Sequence, residues 1–290
     1  MHVFTTVSQI QSFLDHARSQ HNYISFVPTL GALHQGHLQL MEHARAIGDI
    51  VVASIFVNPT QFNDPSDLEK YPRPLRSDIH KLSTNGVDVL FLPMDEEVYP
   101  PGLDLKVSAD LTGLTDVMEG PSRPGHFEGV VTVVKRLLDI VQPDALIMGQ
   151  KDYQQQAIIA EMIRQLAIPT KLIRHEIVRD KDGLALSSRN ARIDPALRPV
   201  ANTLYKALLQ AKELYLTSDI GDVIDICSGM ILDQGFKLEY FTIIDGTTLQ
   251  PIHHWEHHDS IVVCVAAWLG EVRLIDNKII YPNKSSIPES

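Results

Sequence analysis

The chain has 290 residues, 44% of them apolar and 21% charged, and a formal net charge of −11. This is the composition of a globular protein with room for one large core or two smaller ones, and it excludes disorder. The acidity excludes a protein that lives on nucleic acid, because that binding draws on basic residues that release counterions from phosphates, whereas a local basic pocket for a small anion stays open.

In chain order, Val7, Ile10, Phe13, Leu14 and Ala17 have the spacing of an amphipathic helix, and YISFV at 23–27 reads as a short buried strand. Gly36 to Ile47 reads as a helix, and the β-branched run DIVVASIFV at 49–57 suits a strand covered on both faces. Pro74 stands where the first turn of a helix to about Thr84 would begin, followed by the strand DVLFLP. HFEGVVTVVKRLLDIV at 126–141 predicts a helix, ALIMG at 145–149 a strand, and Tyr153 to Leu166 another helix. Strands alternating with helices imply parallel βαβ units with right-handed crossovers.

After Leu186 the pattern changes. Pro195 to Leu216 and Asp222 to Gln234 predict helices, while LEYFTIID, SIVVCVAAWL and VRLIDNKII predict successive strands of a small α+β unit. The expectation is an α/β chain: a Rossmann-like parallel-sheet domain at 1–178 and a smaller α+β lid domain at 179–290, with SSIPES frayed at the end. The longest apolar stretch, Ile261 to Leu269, is about half of the ~20 residues of a membrane span, and the N-terminus lacks the layout of a secretion signal. Cys227 and Cys264 lie far from any metal-ligand spacing and read as buried thiols. No membrane and a cytoplasmic location are expected.

PTLGALHQGHLQL at 28–40 carries His34 and His37 between a strand and a helix. Ligands of open α/β sheets bind beyond the carboxyl ends of the strands. Gly31 and Gly36 let backbone approach a ligand, and a helix starting near Gly36 would aim its N–H groups at an anion. His34 and His37, about one turn apart, could serve one phosphate. A metal would need further ligands, and no Cys lies nearby. Either histidine alone would read as surface or capped; the paired glycines and the strand end favour phosphate.

A strand followed by HxGH at a helix start resembles the nucleotidyltransferase superfamily. With FVNPTQF at 56–62, YPR at 71–73, EGPSRPGHFEGV at 119–130, GQKDYQQ at 149–155, DGLALSSRN at 182–190 and AAWLGEVRLIDN at 266–277, nearly the whole chain resembles the pantothenate synthetases, or pantoate-β-alanine ligases. The resemblance implies a two-step, magnesium-assisted ligation. The carboxylate of pantoate attacks the α-phosphate of ATP, and β-alanine then displaces AMP from the pantoyl adenylate.

The resemblance also implies site residues. His34, His37, Lys151, Ser187, Ser188 and Arg189 would serve the phosphates; Thr29, Leu30, Gly149, Asp152, Val178 and Leu186 would complete the ATP site. Gln61 and Gln155 would hydrogen-bond pantoate, whose dimethyl group would lie on Leu30, Val130 and Val133. Asn58, Glu119, Arg123 and His126 would shape the second-substrate side, and Asp78 would meet magnesium through water or remain a solvated helix carboxylate. A homodimer is implied as well. Taken singly, Lys151 beside Asp152 could be a surface ion pair, and Ser-Ser-Arg-Asn a plain turn.

Three positions depart from the family pattern: Leu30 for methionine, Met148 for an aromatic and Gln150 for glutamate. The first two exchange apolar for apolar, and activity is expected to survive all three. HHWEHH at 253–258 is unexplained by the resemblance and reads as an exposed loop that catches metal adventitiously. Two rival readings remain: a nucleotidyltransferase acting on a phosphorylated acceptor, which need not keep Gln61 and Gln155, and a nucleotide-binding module without turnover. A tRNA synthetase fits less well, because the chain is short and acidic.

Overall fold

The computed structural model describes residues 1–62 and 65–281; the terminal SSIPES lies outside them. Two compact units result. The first comprises Met1–Thr115, Glu119–Gln150 and Gln155–Glu176, and the second comprises Asp116–Met118, Lys151–Gln154 and the chain from Ile177 onward.

In chain order the first unit contains β1 (His2–Phe4), α1 (Val7–Ser19), β2 (Ile24–Thr29), α2 (Gln35–Ile47), β3 (Ile50–Ile55), α3 (Pro65–Lys70), α4 (Leu75–Thr84), β4 (Val89–Phe91), α5 (Asp95–Val98), α6 (Glu119–Ser122), α7 (His126–Val141), β5 (Ala145–Gly149), most of α8 (Tyr153–Gln165) and β6 (Lys171–His175). Its six strands pair in parallel in the order β1-β4-β3-β2-β5-β6. Strand side chains alternate between two layers, as a period of two requires. Phe26, Val52, Phe91 and Leu146 enter the layer that α1, α7 and α8 cover, whereas Val27, Val51, Ala53, Leu90 and Ile147 enter the layer under α2 and α4. Burial on both faces is why these strands read as continuous apolar runs.

The sequence pattern missed β1 and β6, the two edges of the sheet. β1 is three residues long and largely exposed, and β6, KLIRH, mixes charge into its run. Edge strands tolerate polar residues, so they lack the apolar signature of central ones.

In the second unit, α9 (Thr203–Leu214) and α10 (Ile220–Leu232) precede the antiparallel meander β7 (Lys237–Asp245), β8 (Ile261–Leu269) and β9 (Val272–Tyr281). Leu204, Ala207, Leu208, Val223, Cys227 and Ile231 of the helices share a core with Ile243, Val263, Val265 and Leu274 of the sheet. The helix expected from Pro195 starts only at Thr203, after a 3-10 turn at Arg198–Val200 that contains Pro199. Proline lacks the N–H that a longer helix would need there. Among the described residues no helix is long and apolar enough to cross a membrane.

Candidate active site

Strand order reverses between β2 and β5, which pair through Ser25 with Ala145 and Phe26 with Leu146. β2 leads into α2, whose Leu40, Met41 and Ala44 cover one face; β5 leads into α8, whose Ile158, Ile159 and Met162 cover the other. Connections that leave to opposite faces open a crevice at the strands' carboxyl ends. The loop after Thr29 and the turn at Gly149 both lie there.

The loop is tightly held. Gly31 has φ +79°, where other side chains are strained, and a Cβ on it would lie a tight 3.1 Å from both Asp78 Oδ2 and Ile55 Cγ2, so glycine is favoured. The following turn delivers Ala32 N–H to Asp78 Oδ2 at 2.8 Å and Leu33 N–H to Asp78 Oδ1 at 2.9 Å. Thr29 supports the same bend: its hydroxyl donates to Ser54 O at 2.7 Å and accepts from Gly31 N–H at 3.2 Å.

This corrects one reading of Asp78, the solvated helix carboxylate: the residue is 1% exposed, and each oxygen accepts a backbone N–H of the histidine loop. Its observed job is to clasp the loop from α4. Backbone amides that the glycine pattern offered to a ligand are thus partly taken by a carboxylate from the chain itself.

The two histidines cap α2 reciprocally. His34 Nδ1 accepts from Gly36 N–H at 3.1 Å, and His37 Nδ1 accepts from His34 N–H at 3.3 Å. An imidazole that accepts at Nδ1 is the neutral tautomer with its proton on Nε2. Both rings therefore have Nε2–H as their donor, with centroids 4.1 Å apart at the positive end of a helix. Such a pair suits phosphate oxygens. It does not suit a metal, which needs a lone pair where these rings carry hydrogen, and among the described residues no group of three His, Cys, Asp or Glu could hold one.

A second constellation surrounds Gln61. Asn58 Oδ1 accepts from Thr60 N–H (3.3 Å), Thr60 Oγ1–H (2.9 Å) and Tyr99 O–H (2.7 Å). Burial pushes the Tyr99 phenol pKa up, against the opposing hydrogen bond from Thr60, and keeps it a donor. Asn58 Nδ2 consequently donates to Gly129 O at 3.2 Å and to Gln61 Oε1 at 3.1 Å. With Oε1 engaged, Gln61 has its NH₂ group for an acceptor oxygen of a substrate. His126 Nδ1 lies 2.8 Å from Gln61 O, an obligatory acceptor, and so carries the proton there. Gly129 makes this approach possible, since a Cβ would fall 2.4 Å from Thr60 O.

Asn58 was expected on the second-substrate side. It is fully buried and donates to the side-chain oxygen of Gln61, which it orients. Glu119 and His126 are buried too, and Arg123 lies 3.9 Å from Glu119. Val130 and Val133 are buried on α7, whereas Leu30 and Gln155 are half-buried.

The remaining expected residues belong to the second unit. Leu186 N–H donates to Val178 O at 2.9 Å and Asp180 N–H to Leu184 O at 2.8 Å, closing a hairpin that ends at Ser187. Ser187 Oγ accepts from Arg189 N–H at 3.2 Å and caps the short turn Ser188–Arg192. The turn reading of these serines is thus correct in part, and it does not compete with phosphate binding: a hydroxyl that accepts one bond still has a proton to donate. Lys151 Nζ is 4.0 Å from Asp152 Oδ1, with the lysine side chain 20% and the aspartate 53% exposed. That separation is too loose for a firm ion pair.

A family model for pantoate-beta-alanine ligase matches residues 2–279. The chain belongs to the pantoate-β-alanine ligase family. It is 44% identical to a pantothenate synthetase of Porphyromonas gingivalis over 278 residues, 96% of this chain and 98% of that one. The pantothenate synthetase of Thermus thermophilus superposes with a TM-score of 0.90 at 39% identity, covering 97% of this chain and 100% of that one. A pantoate-beta-alanine ligase from Francisella tularensis, solved with β-γ ATP and β-alanine, gives 0.80 at 36%, covering 98% and 99%.

Of the three departures from the family pattern, Met148 lies in the core of β5, and Leu30 and Gln150 are half-buried. Sequence reasoning missed Tyr99 and Thr60 as supports of Asn58. The Asn-Pro start of NPTQ, with its capping asparagine, was the one signal that could have pointed to Thr60.

Proposed function

We propose that this ligase joins pantoate and β-alanine into pantothenate, consuming ATP and releasing AMP and pyrophosphate. The observation that carries the reading is the reciprocal cap at the sheet's switch point, in which His34 and His37 each accept a backbone N–H at Nδ1 and so carry their proton on Nε2. In the first step a pantoate carboxylate oxygen bonds to the α-phosphorus and the bond to the pyrophosphate oxygen breaks. Charge grows on the phosphoryl oxygens, where two preset N–H donors and a helix terminus act without reorganising. Lys151, Ser187, Ser188 and Arg189 hold the outer phosphates. Gly149 and Asp152 border the nucleotide's ribose, Val178 and Leu186 its base, and Thr29 and Leu30 complete the ATP site.

Gln61 and Gln155 hydrogen-bond the oxygens of pantoate, and Leu30, Val130 and Val133 receive its dimethyl group. Acids lacking those oxygens would leave the amides unpaired, a strong basis for rejection. In the second step the β-alanine nitrogen bonds to the acyl carbon and AMP leaves; Asn58, Glu119, Arg123 and His126 are assigned to shape that side. No protein nucleophile is needed, so alignment and charge stabilisation do the work.

Magnesium would arrive on the phosphates of ATP, the usual mode for this ion. The described residues offer no three-ligand group for it, and no step is assigned to it. The cytoplasm and a homodimer belong to the same proposal, supported by the resemblance in sequence.

The test is exchange of labelled pyrophosphate into ATP with magnesium, with and without pantoate, and with β-alanine left out. Exchange that depends on pantoate is expected. Its absence, with ATP binding intact and no pantothenate formed once β-alanine is added, would overturn the reading in favour of a binding module without turnover.

A further inference from the structure

The motif AAWLGEVRLIDN contributes two buried polar residues from β9, Asp276 (4% exposed) and Asn277 (3%), that the reaction above does not use. Adjacent strand residues point to opposite faces of the sheet. On one face Asp276 takes Arg179 in a bidentate pair, Oδ2 to Nη1 at 2.6 Å and Oδ1 to Nη2 at 2.9 Å. Arg179 lies 3.9 Å over the Tyr205 ring, donates to Gly183 O at 3.0 Å and bridges to Ala185. Asp276 thus grips the hairpin that ends in Ser187. Turned the other way, Asn277 Nδ2 donates to Lys151 O at 2.8 Å, and Asn277 N–H donates to Asp276 Oδ1 at 2.8 Å.

Two neighbouring residues of one strand therefore hold the peptide of Lys151 and the base of the Ser187–Arg189 segment. We propose that Asn277 is a positioning residue for Lys151, setting the lysine's peptide in register with the phosphate-binding serines through β9. The inference rests on the assignment of Lys151 to the nucleotide phosphates. A lysine has a long flexible stem, and its ammonium finds a fixed point only if its backbone is fixed. The Lys151 carbonyl lies in the short 3-10 turn Gln150–Asp152, and the Asn277 amide ties that turn to β9.

Asn277→Ala and the milder Asn277→Ser remove the donor. Both are expected to raise the KM for ATP in pyrophosphate exchange about tenfold, equivalent to ~1.4 kcal/mol, with the KM for pantoate unchanged. A merely structural role would move both constants together. A double-mutant cycle on ATP affinity then isolates the route: in a Lys151→Ala background, Asn277→Ala should change the Kd for ATP by less than about twofold. Effects that multiply, or a pantoate KM that rises in step, would overturn the proposal. A parent protein with no pantoate-dependent exchange would instead overturn the functional reading, whereas an active parent with multiplying effects would sink Asn277 alone.

Discussion

Two stretches of this chain are dense in histidine, and they differ in everything that makes a site. At 34–37 both rings accept backbone N–H at Nδ1, which places the proton of each on Nε2, side by side at a helix start. At 253–258, His253, His254 and His257 are exposed, and His258 is turned into the carboxylate of Asp245 at 2.9 Å. Trp255 anchors that loop by donating to Ser218 O at 2.8 Å and meeting Tyr215 edge-on. Abundance of a ligating residue does not set its geometry; backbone donors, a helix start and a place on the sheet do.

The largest expected effect tests that contrast directly. His34→Ala or His37→Ala should cut pantoate-dependent pyrophosphate exchange about 10²- to 10³-fold. The triple change of His253, His254 and His257 to alanine should leave it within about twofold, as for exposed positions generally. Comparable losses in initial rate would break the distinction.

The clasp behind the first histidine pair comes next. Asp78→Ala strips a buried and a half-buried N–H group of their acceptor and should cost about 2–3 kcal/mol in urea unfolding, while Asp78→Asn, which keeps one acceptor oxygen, should cost less. A neutral Asp78→Ala would mean that the loop holds itself. On the other side, Trp255→Ala removes one hydrogen bond and an aromatic contact, for about 1–2 kcal/mol by the same measurement, with exchange activity unchanged. Lost exchange there would give the second histidine stretch a role after all.

The smallest effect concerns His43, on α2 beyond the cap. Burial, and then neighbouring His175, hold its pKa below the ordinary 6.5. The unfolded chain therefore takes up this proton at a higher pH than the folded one, so the contribution is full above about pH 6.5 and is lost as pH falls through the lower folded value. His43→Gln should slightly flatten the fall in urea midpoint between about pH 7 and about pH 5. An unchanged slope would show that this ring plays no part in acid sensitivity.

Much of this architecture was legible in local pattern. Central strands announced themselves as β-branched runs, and His34, Gly36 and His37 announced a helix start, because both signals reside in consecutive residues. Asp78 gave no such sign. Its partners lie 45 and 46 residues away, and a helix carboxylate looks solvated until the loop is seen to close over it. Asn58 likewise gave no sign that Tyr99, from 41 residues on, fills its acceptor side.

By itself the sequence determined the βαβ order and the family, and it singled out the residues here proposed to meet the nucleotide. Periodicity and motif spacing are properties of neighbouring positions, and they survive without a fold. Only the tertiary structure decided which nitrogen of each imidazole bears hydrogen, that the side-chain oxygen of Gln61 is already engaged, and that Asn277 reaches Lys151 from 126 residues away. A hydrogen bond is directional and short, so its partner is chosen by packing and not by distance along the chain.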